Sequence, residues 1–166
     1  PVGAVACAAT TICSVDNPDR CVRGDGSADL YPKAEASTWT VRKDDSGGAT
    51  SYFNFAVEGT IDSYIGIDGY TSTCSNNMFT SDRDQQDDHT LKWSIDSDGR
   101  IRWDPYATGA VYFTSKICSS VEACKSDGGG ACPTTDARHD DRWAFDGCSD
   151  AEFAAMGLTP GSSGGG

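Results

Sequence analysis

Between residues 39 and 57 apolar and polar positions alternate along the chain. Trp39 and Val41 stand two apart, as do Phe53, Phe55 and Val57, with Thr40, Asn54 and Ala56 between them. A period of two is the signature of a strand, because successive side chains point to opposite faces. Asp44-Asp45-Ser46-Gly47-Gly48 interrupts the alternation with turn-forming residues. The pattern therefore predicts a hairpin from Thr38–Arg42 into Tyr52–Val57.

A second hairpin is written more sharply at Leu91–Ile95 and Arg100–Trp103. A three-residue loop Ser97-Asp98-Gly99 sets Asp96 opposite Arg100, Ile95 opposite Ile101, Trp93 opposite Trp103 and Lys92 opposite Asp104. Apolar residues then share one face and opposite charges meet on the other. Gly99 falls where such a loop needs a left-handed residue. A two-residue loop would pair Asp96 with Ile101 and mix the faces. Trp93 and Trp103 are accordingly expected in the core.

Ser63–Asp68 and Ala110–Thr114 supply further strands. Residues 30–117 read as about six antiparallel strands, a mainly β domain of sandwich or jelly-roll type. The C-terminal part changes period. Ser119-x-x-Glu122 and Ser149-x-x-Glu152 have the spacing of capping boxes. They predict short helices over about 120–126 and 150–156, stopped near Gly128 and Gly157.

The cysteines organise the rest. Cys-x5-Cys-x7-Cys occurs at Cys7, Cys13 and Cys21 and again at Cys118, Cys124 and Cys132, with Cys74 and Cys148 outside the two frames. Eight cysteines suit four disulfides and an oxidising, extracellular or cell-surface location, and their pairing is open among 105 connectivities. Structural zinc is disfavoured, since there is no Cys-x2-Cys and only two histidines. The expected layout is one disulfide-rich domain over 1–160. It divides into an N-terminal cysteine segment (1–29), a β core (30–117) and a C-terminal cysteine segment (118–160), followed by a Gly/Ser tail (161–166). The two cysteine segments look poor in apolar residues. They are expected to form compact knobs at different ends of the domain, adding little to its core.

Charge narrows the partners. The formal charge is −12, and 21 of the 25 acidic residues are aspartate. Such a surface repels phosphate backbones and anionic membranes, so nucleic acid is excluded as a partner. No stretch approaches the ~20 apolar residues of a membrane span. The opening at Pro1 without a methionine or an apolar leader suits either a processed secreted chain or an excised segment. No Asn-x-Ser/Thr acceptor occurs, so a glycan is expected only as an O-linked one, at Thr71-Ser72-Thr73 or Thr134-Thr135.

Candidate chemistry is thin. Asp82, Asp84, Asp87 and Asp88, beside His89, cluster the oxygens that calcium requires, although acidic runs more commonly mark a solvated loop. Ser94-x-Asp96-x-Asp98-Gly99 resembles the front of a calcium loop, but Pro105 stands where the closing glutamate belongs, and the hairpin turn explains it better. Trp143, set among Asp140, Asp141, Arg142 and Asp146, is expected to be an exposed aromatic, with Tyr64, Tyr70 and Tyr106 as comparable stacking surfaces for sugar rings. Arg23-Gly24-Asp25 is an integrin-type tripeptide on an expected loop. No serine-hydrolase, zinc-protease, phosphate-loop or dinucleotide motif occurs. Even pairing leaves no nucleophilic thiol. A glycosidase needs only a pair of carboxylates, and Glu58 with a loop aspartate is the nearest candidate.

These features point to a non-catalytic extracellular structural or adhesive module acting by self-association. Its partners would be itself, other extracellular proteins or glycans, with no required cofactor and calcium as the one metal it would suit. A secreted carbohydrate-binding module or glycoside hydrolase is the alternative.

Overall fold

The computed structural model describes residues 2–15, 17–24, 28–44, 52–59, 63–67, 78–81, 92–103, 111–116, 120–125, 139–140 and 142–158. Among these the protein is mainly β, with antiparallel sheets and one short helix. The first strands are β1 (Val2–Thr10), β2 (Cys13–Ser14), β3 (Arg20–Gly24) and β4 (Ala28–Pro32). After a 3-10 turn at Lys33–Glu35 come β5 (Trp39–Asp44), β6 (Tyr52–Val57), β7 (Tyr64–Ile67) and β8 (Met78–Ser81). Next are β9 (Ser94–Ile95), β10 (Ile101–Trp103), β11 (Val111–Lys116) and β12 (Ser120–Lys125). The chain then forms β13 (His139–Asp140), β14 (Trp143–Ala144) and α1 (Asp150–Ala155).

Two sheets result. One runs β1-β5-β6-β7-β8; the other runs β14-β2-β3-β4-β12-β11-β10-β9, with β13 beside β11. The expected β5–β6 hairpin is present, and its register sets Trp39 opposite Val57 and Val41 opposite Phe55. Its apolar face carries Trp39, Val41, Phe53 and Phe55 into the main core. The indole N–H groups of Trp39 and Trp93 donate to the carbonyls of Val22 and Ile65, each at 3.1 Å. A buried indole needs such a partner, so both rings are fixed as well as buried.

The β9–β10 hairpin keeps the expected three-residue loop. Ile95 faces Ile101, the Asp96 N–H donates to the Arg100 carbonyl at 2.8 Å, and Gly99 has φ +90°. Charge pairing departs in detail: Asp96 binds Arg102 at 3.2 Å, while Arg100 pairs with Asp98. Trp93 is buried as expected. Its backbone, however, exchanges both hydrogen bonds with Phe53 of β6, at 2.7 and 3.0 Å. That bridge ties the two sheets together at one residue.

Two expectations fail. Residues 120–125 form a strand, not a helix, because β12 pairs along its whole length with β11, from Lys116 opposite Ser120 to Val111 opposite Lys125. A helix of two turns or fewer is marginal in isolation, so a continuous ladder overrides the Ser119/Glu122 spacing. The cysteine segments are not separate knobs either. β1 is an edge of the first sheet, and β2, β3 and β4 belong to the second. Ile12 and Val22 from the N-terminal part join Trp143, Phe145, Phe153, Met156 and Leu158 in the same core as Phe53 and Phe55. Apolar residues from both ends condense on one another because each segment alone has too few to bury.

Candidate functional site

Two places hold the features from which function can be argued. The first is where the two ends of the chain meet. Cys7 on β1 is bonded to Cys148, just ahead of α1, across a sequence separation of 141 with the Cα atoms 5.7 Å apart. Around this bond the C-terminal segment grips β1 by polar contacts. The Gly147 N–H donates to Thr10 Oγ1 at 3.1 Å, and Asp146 pairs outside β1, with Lys33 of the 3-10 turn, at 2.6 Å.

Glu152 completes the grip. It occupies the third position of the expected capping box: its N–H donates to Ser149 Oγ at 3.2 Å, and its Oε1 accepts from the Ser149 N–H at 2.9 Å. Its second oxygen, Oε2, accepts from the Ala8 N–H at 2.9 Å. One carboxylate therefore caps α1 and satisfies an outward N–H of the edge strand. The backbone N–H of Ser149 first, and that of Ala8 second, hold its carboxyl below the usual carboxylate range. At the other end, α1 stops with Gly157 at φ +79° and a bond from Leu158 N–H to the Phe153 carbonyl at 2.8 Å. Phe153 and Leu158 both reach the core, as a helix stop of this kind favours.

The second disulfide, Cys13–Cys21, links residues directly opposite on β2 and β3, with Cα atoms 4.0 Å apart. Of the two bonds, this one staples neighbouring strands, while Cys7–Cys148 joins the beginning of the fold to its end.

The other place is the second face of the first sheet. Register sets Arg42 opposite Asn54, Asp44 opposite Tyr52 and Thr40 opposite Ala56, which in turn faces Tyr64. Thr40, Asp44 and Asn54 are buried, and Asn54 Nδ2 donates to Asp44 Oδ2 at 3.3 Å. Arg42 Nε is buried without a hydrogen-bond partner. Val5 of β1, opposite Arg42, is 47% exposed and is the one large exposed hydrophobic among the described residues. Of these groups only Arg42 is partly exposed, so its guanidinium alone can donate to a ligand from this face.

The residues picked out from sequence fare unevenly. Trp143 is fully buried, not exposed: β14 pairs with β2, and the Trp143 N–H donates to the Gly99 carbonyl at 3.0 Å. Trp143, Ala144 and Phe145 are buried as a run, while Arg142 and Asp146 on either side stay in water. The charged neighbours suggested exposure; the compact apolar run was the stronger signal. Tyr64 is also fully buried, packed with Ala56. Neither ring offers a face to a sugar. Tyr70, Tyr106, Asp82, Asp84, Asp87 and Asp88 lie outside the described residues, as do Cys74, Cys118 and Cys132. Cys124 sits on β12. Glu58 is exposed beside the end of β6. Arg23 stacks over Tyr31 at 4.6 Å, and Asp25 lies outside the described residues. Among the described residues no three carboxylates, imidazoles or thiols gather as a metal site.

The end-to-end disulfide and the Glu152 bridge were not foreseen. Sequence spacing carried no sign of which cysteine reaches across the chain, although the Ser149/Glu152 spacing marked the helix that delivers the carboxylate. The disulfides suit an oxidising, extracellular-type environment, and no described helix is long and apolar enough to cross a membrane. Comparison with protein-family models, with curated proteins and with solved structures gives no match to this chain.

Proposed function

We propose that this protein is a non-catalytic extracellular module of a cell surface, matrix or filament, acting by self-association. The observation that carries the reading is the covalent joining of the N-terminal and C-terminal cysteine segments through Cys7 and Cys148. Pre-organised segments lose less entropy on docking than loose ones, so a surface held this way is suited to repeated contacts. Trp39, Trp93 and Trp143 are all buried, which favours a stiffening role for their rings over a binding one. In this reading the two sheets pack as a sandwich, and Cys74, Cys118, Cys124 and Cys132 complete two further disulfides.

Because Cys7 and Cys148 meet, the two cysteine segments share one region of the domain and do not stand at opposite ends. A patch that meets its own copy closes as a two-fold pair, and a filament needs a second, unlike surface in addition. Subunits of charge −12 repel, so association strengthens as salt or divalent ions screen them. Light scattering and electron microscopy of the native protein test this. Assembly that grows with salt or calcium supports the proposal; a strictly monomeric particle under every condition overturns it. If the acidic run from Asp82 to Asp88 takes calcium, chelation lowers the melting temperature and calcium restores it.

A secreted carbohydrate-binding module or hydrolase is the second reading, resting on the partly exposed guanidinium of Arg42 on β5. It predicts glycan binding in an array, lost in Arg42→Ala with the fold intact.

A further inference from the structure

We infer that Cys7–Cys148 makes the domain a tension-bearing link in which the loop enclosed by the bond is shielded from load. The inference goes beyond self-association. Its use in a matrix or filament rests on that reading, but the mechanical property does not. A force applied through chain on either side of the domain reaches Cys7 from one direction and Cys148 from the other. The two Cα atoms lie 5.7 Å apart and are covalently joined, so the load crosses the disulfide. Residues 8–147 form a closed loop in parallel with it, and the hydrogen bonds of both sheets within that loop carry no tension.

The surrounding contacts fit this role. Glu152 binds the Ala8 N–H immediately beside Cys7, and Gly147 binds Thr10 immediately beside Cys148. These bonds hold the crosslinked residues in register on the folded side. Among the described residues, those outside the loop are the first part of β1, and α1 with the residues up to Leu158. Phe153, Met156 and Leu158 anchor this last part in the core, so it is the first piece of the main fold that tension can peel away.

The full chain, held by handles fused to its two ends, is stretched in a single-molecule force experiment. In oxidising buffer only a short extension from the flanking segments is expected. After reduction with a dithiol, a separation of 141 residues is freed, a gain of about 490 Å at ~3.5 Å per residue. Reduction is performed on protein already folded with its disulfides, so the result does not depend on folding without them. The double variant Cys7→Ser/Cys148→Ser repeats the test where it folds, with the gain shortened by whatever disulfides remain. Handles at exposed Ala34 and Ser97, both inside the loop, serve as the control. They unfold the domain in oxidising buffer and release about 220 Å between them, at ~3.5 Å per residue. A release approaching 490 Å from the chain ends without reduction overturns the inference. So does an unchanged short extension after reduction when the internal handles still unfold the same molecules. Association is scored separately on unstretched protein, so a monomer that shows the predicted extensions refutes self-association and leaves the link standing.

Discussion

Gly147 lies so close to β1 that a Cβ built on it would stand 2.2 Å from the Ala9 carbonyl oxygen and 2.8 Å from the Thr10 Cα. Both are backbone atoms, which cannot swing aside, so Gly147→Ala must push the C-terminal segment off the edge strand. A loss of about 1–3 kcal/mol in denaturant unfolding is expected, the usual range for overpacking. A loss under ~0.5 kcal/mol would show that the two backbones are not in contact. Trp93 is the corresponding core residue: Trp93→Ala removes a fully buried ring and its bond to Ile65, with an expected cost of about 3–5 kcal/mol. Glu152 acts through pH. Its folded pKa is depressed, so its contribution is complete above the unfolded value of about 4.3 and disappears as pH falls through the lower folded value. Glu152→Gln should therefore be less stable than the wild type at neutral pH, with the difference shrinking as pH falls below about 4. Melting curves of both proteins between pH 7 and pH 3 check this; parallel curves would remove Glu152 from the acid response.

At the level of elements, local chemistry succeeded where a turn or cap had its own hydrogen bonds. Ser149-x-x-Glu152 produced a helix because both capping bonds form, and Ser149→Ala should cost about 1 kcal/mol, read from denaturant midpoints. Ser119-x-x-Glu122 has the same spacing, yet Glu122 lies within β12, since six cross-strand pairs with β11 were available. The hairpin at Asp96–Arg100 followed from Gly99 and the two-residue period. That Trp93 would pair with Phe53 across the sheets could not follow, because nothing local to either residue encodes a partner 40 positions away. β1 shows the same limit. Its register against β5 slips between Val2, Val5, Cys7 and Thr10, leaving a bulged edge strand. Bulges twist an exposed edge away from a flat partner strand, which argues against association by simple sheet extension through β1.

For the whole molecule the Cys7–Cys148 bond is the dominant single constraint. In the chain-entropy model, closing a loop of 141 residues restricts the unfolded state by about 5 kcal/mol. Domains of this kind are stable by only about 5–15 kcal/mol in total, so loss of this bond alone removes a large part of the margin. Cys7→Ser/Cys148→Ser should accordingly melt well below the wild type, and more so than Cys13→Ser/Cys21→Ser, whose loop spans only 8 residues. Differential scanning calorimetry decides; equal losses would mean that strain or local packing outweighs the entropy of the long loop. Alkylation of the native protein before reduction, followed by mass spectrometry, should find none of the eight cysteines modified.

The sequence by itself determined the elements whose causes lie within a few residues. These include the alternation that makes β5 and β6, the glycine that turns β9 into β10, and the serine and glutamate that cap α1. It also set the net charge of −12 and the even number of cysteines, which suits an oxidising environment. Tertiary structure decided the part of the core that local pattern left open. Trp143 and Tyr64 are fully buried because strands distant in sequence close over them. It also decided that Cys7 reaches Cys148. A disulfide depends on two Cα atoms coming within a few ångströms of each other. For residues separated by 141 positions that distance is set by the packing of everything between them.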